Sequence, residues 1–167
     1  RMSYEEDGRR ARTGIDVSVH QGEIDWPAVA EDGVEFAMLR LGYRGYTAGG
    51  LFLDSQFERN IRGALDAGLE VGVYFFSQAT NQTEALEEAQ FVLDTIADYP
   101  VDGPVVFDWE NIGTDSARTD GMTSAQVTAA ANAFCGRIKA AGYQPMIYFN
   151  QYIGYLLYDL DQVTQYP

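Results

Sequence analysis

At 167 residues the chain is long enough for one domain with a substantial core and too short for two ordinary ones. Its apolar fraction of 46% is that of a soluble globular protein. Eleven Lys and Arg against 25 Asp and Glu leave a formal net charge of −14, which argues against nucleic-acid binding and against an anionic membrane surface, since both need a basic face.

The single cysteine, Cys135, cannot form an intramolecular disulfide, and its helical setting between Phe134 and Ile138 is that of a buried, inert thiol. The single histidine, His20, argues against a His-based zinc site and against a Ser-His-Asp triad. No run of about 18 apolar residues exists, so no membrane-inserting helix is expected.

In chain order, the opening RMSYEEDGRRARTG is polar and Arg-rich and lacks the apolar core of a signal peptide. Residues 1–13 are assigned to a disordered leader or linker and residues 14–167 to the folded domain. The first β-rich run is Gly14-Ile15-Asp16-Val17-Ser18. A short helix is predicted over Asp25 to Asp32, with Pro27 in its first turn, where a missing N–H costs nothing. Phe36 to Gly42 (FAMLRLG) is the second strand, followed by a Gly-rich loop, YRGYTAGG. Asp54 is the expected N-cap of a helix carrying Phe57, Ile61 and Leu65, closed by Gly68.

Val71 to Ser77 (VGVYFFS) is the third strand, and the next helix has Leu86, Ala89, Leu93 and Ile96 on one stripe, ending before Tyr99-Pro100. Val105 to Trp109 is the fourth. After the polar loop NIGTDSARTDGM, Thr123 or Ser124 caps a helix with Val127, Ala131, Phe134, Ile138 and Ala141 at helical spacing, stopped by Gly142. Pro145 to Asn150 (PMIYFN) is the fifth strand, and a last helical turn runs through Tyr155 and Leu157. Alternation of near-continuous apolar strands with helices means α/β architecture with parallel strands. No glycine fingerprint or P-loop follows any strand, so a nucleotide-binding doubly wound sheet has no support and the expected fold is an irregular (β/α) barrel of the TIM-like type.

In either architecture the chemistry gathers at the C-terminal ends of the strands. The side chains expected there are Asp16 and Ser18, Arg40 leading to Tyr43, Tyr74, Phe76 and Gln78, Asp108 and Glu110, and Tyr148 and Asn150. Residues two apart in a strand share a face, so Asp108 and Glu110 point one way with Cα atoms roughly 6.6 Å apart, while Val105, Phe107 and Trp109 point to the helices. Two neighbouring carboxyls separate in pKa, which leaves one able to hold a proton as a general acid; glycosidic cleavage needs such a pair. Glu110, longer and later, is the natural donor, with Asp108 stabilising charge on the sugar ring and Arg40 neutralising one acid. An Asp-x-Glu that only pairs with Arg40 or caps the next helix would look the same in sequence. Taken singly, Asp16 is more often a strand-end group and His20 a loop histidine; His20 is left out of the catalytic set.

The stretches GIDVSVHQGEIDW, RLGYRGYTAGGLFLDSQFERNI, VGVYFFSQA, PVVFDWE and PMIYFN, in this order and spacing, resemble glycoside hydrolase family 25, the muramidases of bacteria and their phages. The resemblance runs from Gly14 onward. It implies a flattened β/α barrel, Glu110 as general acid, Asp108 as electrostatic partner, Asp16 as a cleft acid, and Tyr74 and Tyr148 as cleft aromatics. It further implies cleavage of the β-1,4 bond between N-acetylmuramic acid and N-acetylglucosamine in peptidoglycan glycan strands, outside the cell or in its wall, with no metal and no cofactor. The family continues past the position of Pro167, so the expectation is a domain truncated at its C-terminus, with an exposed barrel edge beside Tyr148 open to oligomerisation. Competing readings are a non-catalytic wall-glycan-binding module, a chitinase-like glycosidase, and a metal-dependent hydrolase using Asp16, Asp108 and Glu110 as oxygen ligands.

Overall fold

A computed structural model of the chain describes residues 5–6, 9–113 and 116–167. Part of the expected leader over residues 1–13 therefore lies outside the described residues. Within it, β1 (Glu5–Glu6) pairs antiparallel with β2 (Arg9–Arg10), and Arg10 and Arg12 reach Glu35 and Glu70 as exposed ion pairs.

The domain is built on five parallel strands in the order β3 (Gly14–Val17), β4 (Phe36–Arg44), β6 (Glu70–Ser77), β7 (Val105–Trp109) and β8 (Pro145–Tyr148). The Gly-rich segment expected as a loop is a hairpin instead: Gly45 and Gly50 close it, and β5 (Leu51–Leu53) returns antiparallel on β4. Three residues with one polar neighbour are too short to announce a strand by period; only pairing with β4 makes them one. The barrel does not close among the described residues. β3 and β8 stand at the two edges of an open sheet, with the hairpin strand beside β4. The outer edge of β8 is not bare along its length, because the Ile147 N–H donates to the Pro167 carbonyl at 3.1 Å while Val163 and Tyr166 pack toward the core.

Helices α2 (Phe57–Asp66), α3 (Gln82–Ile96) and α4 (Ser124–Ala140) lie over one face of this sheet. Their apolar sides meet Leu39, Val71, Val73, Phe75, Val105 and Phe107, all fully buried. α1 (Trp26–Glu31) begins where predicted, with the Asp25 carboxylate accepting from Ala28 N–H, and its Trp26 packs against Gly63 of α2, where any Cβ would strike the indole at 2.2 Å. Thr123 and Gln126 form a reciprocal capping box on α4. Gly68 ends α2 and Gly142 ends α4 with positive φ of 77° and 93°, the left-handed turn that returns the chain to a strand.

Two helix readings are corrected. Leu86 is exposed, and the stripe that α3 buries is Ala85, Glu88, Ala89, Val92, Leu93 and Ile96. Asp54 does not cap α2 directly; Gln56 holds that position, and Asp54 turns the chain two residues earlier by accepting from the Gln56 N–H at 2.9 Å.

β4 carries one extra residue. Arg40 pairs with Tyr74 of β6 and Gly42 with Phe75, so Leu41 is bulged out of register. Beyond the bulge Arg44 turns to the helix side, where it is buried against Glu88 of α3 (Nε to Oε1 2.7 Å) and donates to the Gly49 and Glu84 carbonyls. Ser77 Oγ donates to the other Glu88 oxygen at 2.6 Å. Burial pushes the Glu88 carboxyl up to about 7 while Ser77 and Arg44 hold it down. Removing one partner of such a pair strands the other charge in the core, so Arg44→Leu is expected to cost ~3–5 kcal/mol in urea unfolding, and Arg44→Leu/Glu88→Leu to recover part of that loss.

Candidate active site

Every residue of β7 is buried, and its side chains alternate between two very different surroundings. Phe107 meets α4, its ring 5.1 Å from that of Phe134. Val106 and Asp108 face the other way and, with Glu110, line a cleft of about 810 Å³ on the uncovered side of the sheet. All five parallel strands contribute to this wall. The register sets the neighbours: Asp108 lies between Phe76 of β6 and Tyr148 of β8. One step toward the N-terminal ends of the strands, Arg40, Tyr74, Val106 and Met146 form a second row. At Gly72 a Cβ would come within 2.6 Å of Met38 Sδ and 2.9 Å of the Pro104 carbonyl, so only glycine lets Met38 lie flat in the floor.

Asp108 is 8% exposed, and one of its carboxylate oxygens is buried with no hydrogen-bond partner among the described residues. Burial first, then the charges of Glu110 and Asp16, push its pKa up to about 7 against the pull of Arg40. The fold therefore drives Asp108 toward the neutral acid, because it sits deeper than its partner on the same face. Burial and then the negative charge of neighbouring Asp16 hold the Tyr74 hydroxyl protonated far above its ordinary range. Tyr148, half exposed at the rim, is raised by partial burial and by the three acids.

Arg40 does not neutralise either member of the pair directly. Its Nε donates to Asp54 at 2.7 Å, and Asp54, 2% exposed, also accepts from the Val19 N–H at 3.0 Å. This buried aspartate ties the first-strand turn, β4 and the start of α2 together. Fourteen residues separate Arg40 from Asp54, and nothing local in the sequence links them. Ser18 and Gln21 form a capping box over the short 3-10 turn at 19–21, which sets His20 on the cleft wall with its Nε2 3.4 Å from Arg40 Nη1. His20 is thus a cleft residue that sequence reasoning set aside.

Of the predicted set, Asp16, Arg40, Tyr74, Phe76, Asp108, Glu110 and Tyr148 converge on the cleft. Tyr43 is stacked on Phe52 at 5.3 Å, beyond the bulge and outside the lining. Asn150 lies past the end of β8, where its side-chain oxygen accepts from Ile153 N–H as the N-cap of α5 (Gln151–Leu157). Among the described residues no three His, Cys, Asp or Glu side chains are arranged to hold a metal ion, so the oxygen-ligand reading of Asp16, Asp108 and Glu110 gains no support.

Comparison with known proteins bears on the same segment. The model of the glycosyl hydrolases family 25 matches residues 15–163. Lysozyme M1 of Streptomyces globisporus is 30% identical over 130 residues, covering 76% of this chain and 42% of that protein. An autolytic lysozyme of Clostridium acetobutylicum is 33% identical over 97 residues, covering 58% of this chain and 28% of the relative. The chain thus spans less than half the length of the curated relatives it matches. The modular autolysin LytC from Streptococcus pneumoniae shares the fold with a TM-score of 0.80 at 23% identity, over 99% of this chain and 42% of its own. With the matched segment running from the first parallel strand through the last, the chain belongs to glycosyl hydrolases family 25.

Proposed function

We propose that the chain is a peptidoglycan muramidase that hydrolyses the β-1,4 bond between N-acetylmuramic acid and N-acetylglucosamine, acting outside the cell or in its wall. The observation that carries this reading is the convergence of Asp108, on β7, and Glu110, just past its end, in one cleft flanked by Phe76 and Tyr148. Rings stack on aromatic faces, and carboxyls meet hydroxyls and developing charge. The lysozymes among the relatives point to the same substrate class.

A proton is favoured on Asp108, because that side chain is buried beside two other acids. As the glycosidic bond stretches, positive charge grows on the sugar ring next to Asp108, and an anion there becomes favourable. The proton then moves from Asp108 through Glu110, the more accessible of the two, to the leaving oxygen, while the Asp108 carboxylate faces the charged ring; a water molecule captures the ring and returns a proton to the carboxyls. Asp16 and the Tyr74 hydroxyl, close enough for the charge of one to act on the other, frame the ring from β3 and β6. Arg40, anchored on Asp54, keeps a positive charge within reach of Asp108 and limits how far its pKa can climb.

A cleft walled by a sheet on one side is also what a glycan-binding module without hydrolysis would need, and this reading predicts saturable binding with no new reducing ends.

Glu110→Gln is expected to lower the rate of reducing-end release from purified peptidoglycan by ~10²–10⁴-fold with an unchanged circular dichroism spectrum; lysis at the wild-type rate would remove the proposal. Mass spectrometry of the products should give fragments with muramic acid at the reducing end, whereas cleavage of chitin oligomers alone would favour the chitinase-like alternative. Because the Asp108 pKa is raised by folding, its contribution to stability is full below the ordinary carboxyl value of 3.8 and is lost as pH rises through about 7. Asp108→Asn should therefore melt at a higher temperature than the wild type at pH 8, with the difference fading toward pH 4 in thermal scans.

A further inference from the structure

Gln78 follows the last residue of β6 and is completely buried, with no place in the cleft lining. Its amide nitrogen donates to two carbonyl oxygens, those of Ser77 and of Glu110, each at 2.9 Å. Its amide oxygen accepts from the Thr119 hydroxyl, also at 2.9 Å, so the orientation of the amide is fixed by two acceptors on one side and a donor on the other. Thr119 is itself buried.

A second layer braces the first. The Gln78 carbonyl accepts from Arg118 Nη1 at 2.9 Å, and Arg118 grips Glu84 of α3 through two nitrogens at 2.6 and 2.8 Å. Glu84, held well down at about 2 chiefly by Arg118, also takes the Thr80 N–H and hydroxyl. Arg118 is fixed from the other side by its N–H to the Tyr46 carbonyl in the β4–β5 hairpin.

The geometry matters because of where Glu110 stands. β7 ends at Trp109, so the parallel ladder no longer holds the backbone of the next residue. The bond from Gln78 extends that hold by one residue, at the one that bears the carboxyl.

We propose that Gln78, braced by Thr119 and Arg118, is a positioning residue that fixes the main chain of Glu110 and so sets where its carboxyl stands relative to Asp108. The proposal rests on Glu110 being the proton donor for its catalytic meaning, yet it has a readout that does not need turnover. Asp108 faces Glu110 and Asp16, which raise its pKa, and Arg40, which lowers it. If Glu110 swings away, its contribution to Asp108 shrinks.

The test is ¹³C-detected carboxyl titration of Asp108 in the wild-type chain, Gln78→Met, Thr119→Val and Thr119→Ser, alongside kcat and KM on a soluble peptidoglycan fragment. The expected result is an Asp108 midpoint about half a unit or more lower in Gln78→Met and Thr119→Val, with Thr119→Ser restoring the wild-type value. In turnover, kcat should fall about tenfold or more in Gln78→Met while KM stays within about twofold. A folded Gln78→Met with an unmoved Asp108 midpoint overturns the proposal, even if its melting temperature drops, since a merely structural glutamine would do only the latter. Should Gln78→Met fail to fold, the Thr119 pair decides by the same criterion. A wild-type chain that releases no reducing ends defeats the muramidase reading, while the titration still decides the positioning.

Discussion

The parallel register of five strands is the constraint on which the rest hangs. In a strand, successive side chains leave opposite faces, and in a parallel pair the matched residues project the same way. On this sheet one face is sealed by three helices, so apolar residues are needed at every second position there. The intervening positions are released from that demand. Asp108 can sit between Phe107 and Trp109, two core residues, only because it projects away from both. Its carboxyl meets Phe76 and Tyr148 because those strands are locked one hydrogen-bond rung at a time to β7.

The site also runs against stability. Asp108 is buried, has an oxygen without a partner among the described residues, and shares its face with two further acids. A fold selected for stability alone would not retain that arrangement, and perturbed acids of this kind gather where chemistry is done. The cost is borne by a scaffold whose own charges are satisfied: Arg44 with Glu88, Arg40 with Asp54, Arg118 with Glu84. Each of these joins a strand or loop at the mouth of the sheet to a neighbouring element.

Much of this was legible in the residues. The run Val105–Trp109, bounded by Gly-Pro and a polar loop, could only be a buried strand, and its parity put Asp108 and Glu110 together. Helix signals at Asp25, Thr123, Gly68 and Gly142 were local and held. What escaped depended on partners distant in sequence. β5 exists because β4 offers it an edge. Arg40 looked free to serve Asp108 and Glu110 because Asp54 read as a helix cap. Gln78 and Thr119, 41 positions apart, carry no pattern that pairs them. An open edge at β8 was expected; that the Pro167 carbonyl takes up the Ile147 N–H there was not, since those residues lie twenty apart and share no pattern.

The bulge at Leu41 reverses the side from which the rest of β4 projects its side chains. Arg40 and Arg44 are four apart, an even spacing that in an unbroken strand would send both guanidinium groups into the groove. One surplus residue inverts the second, so a single strand supplies a cation to the solvent side and another to the interior. The groove is thereby spared a second positive charge beside its acids, and the hairpin gains an anchor it could not reach otherwise. Charge allocation in this protein is decided by a count of backbone residues as much as by the identity of the side chains.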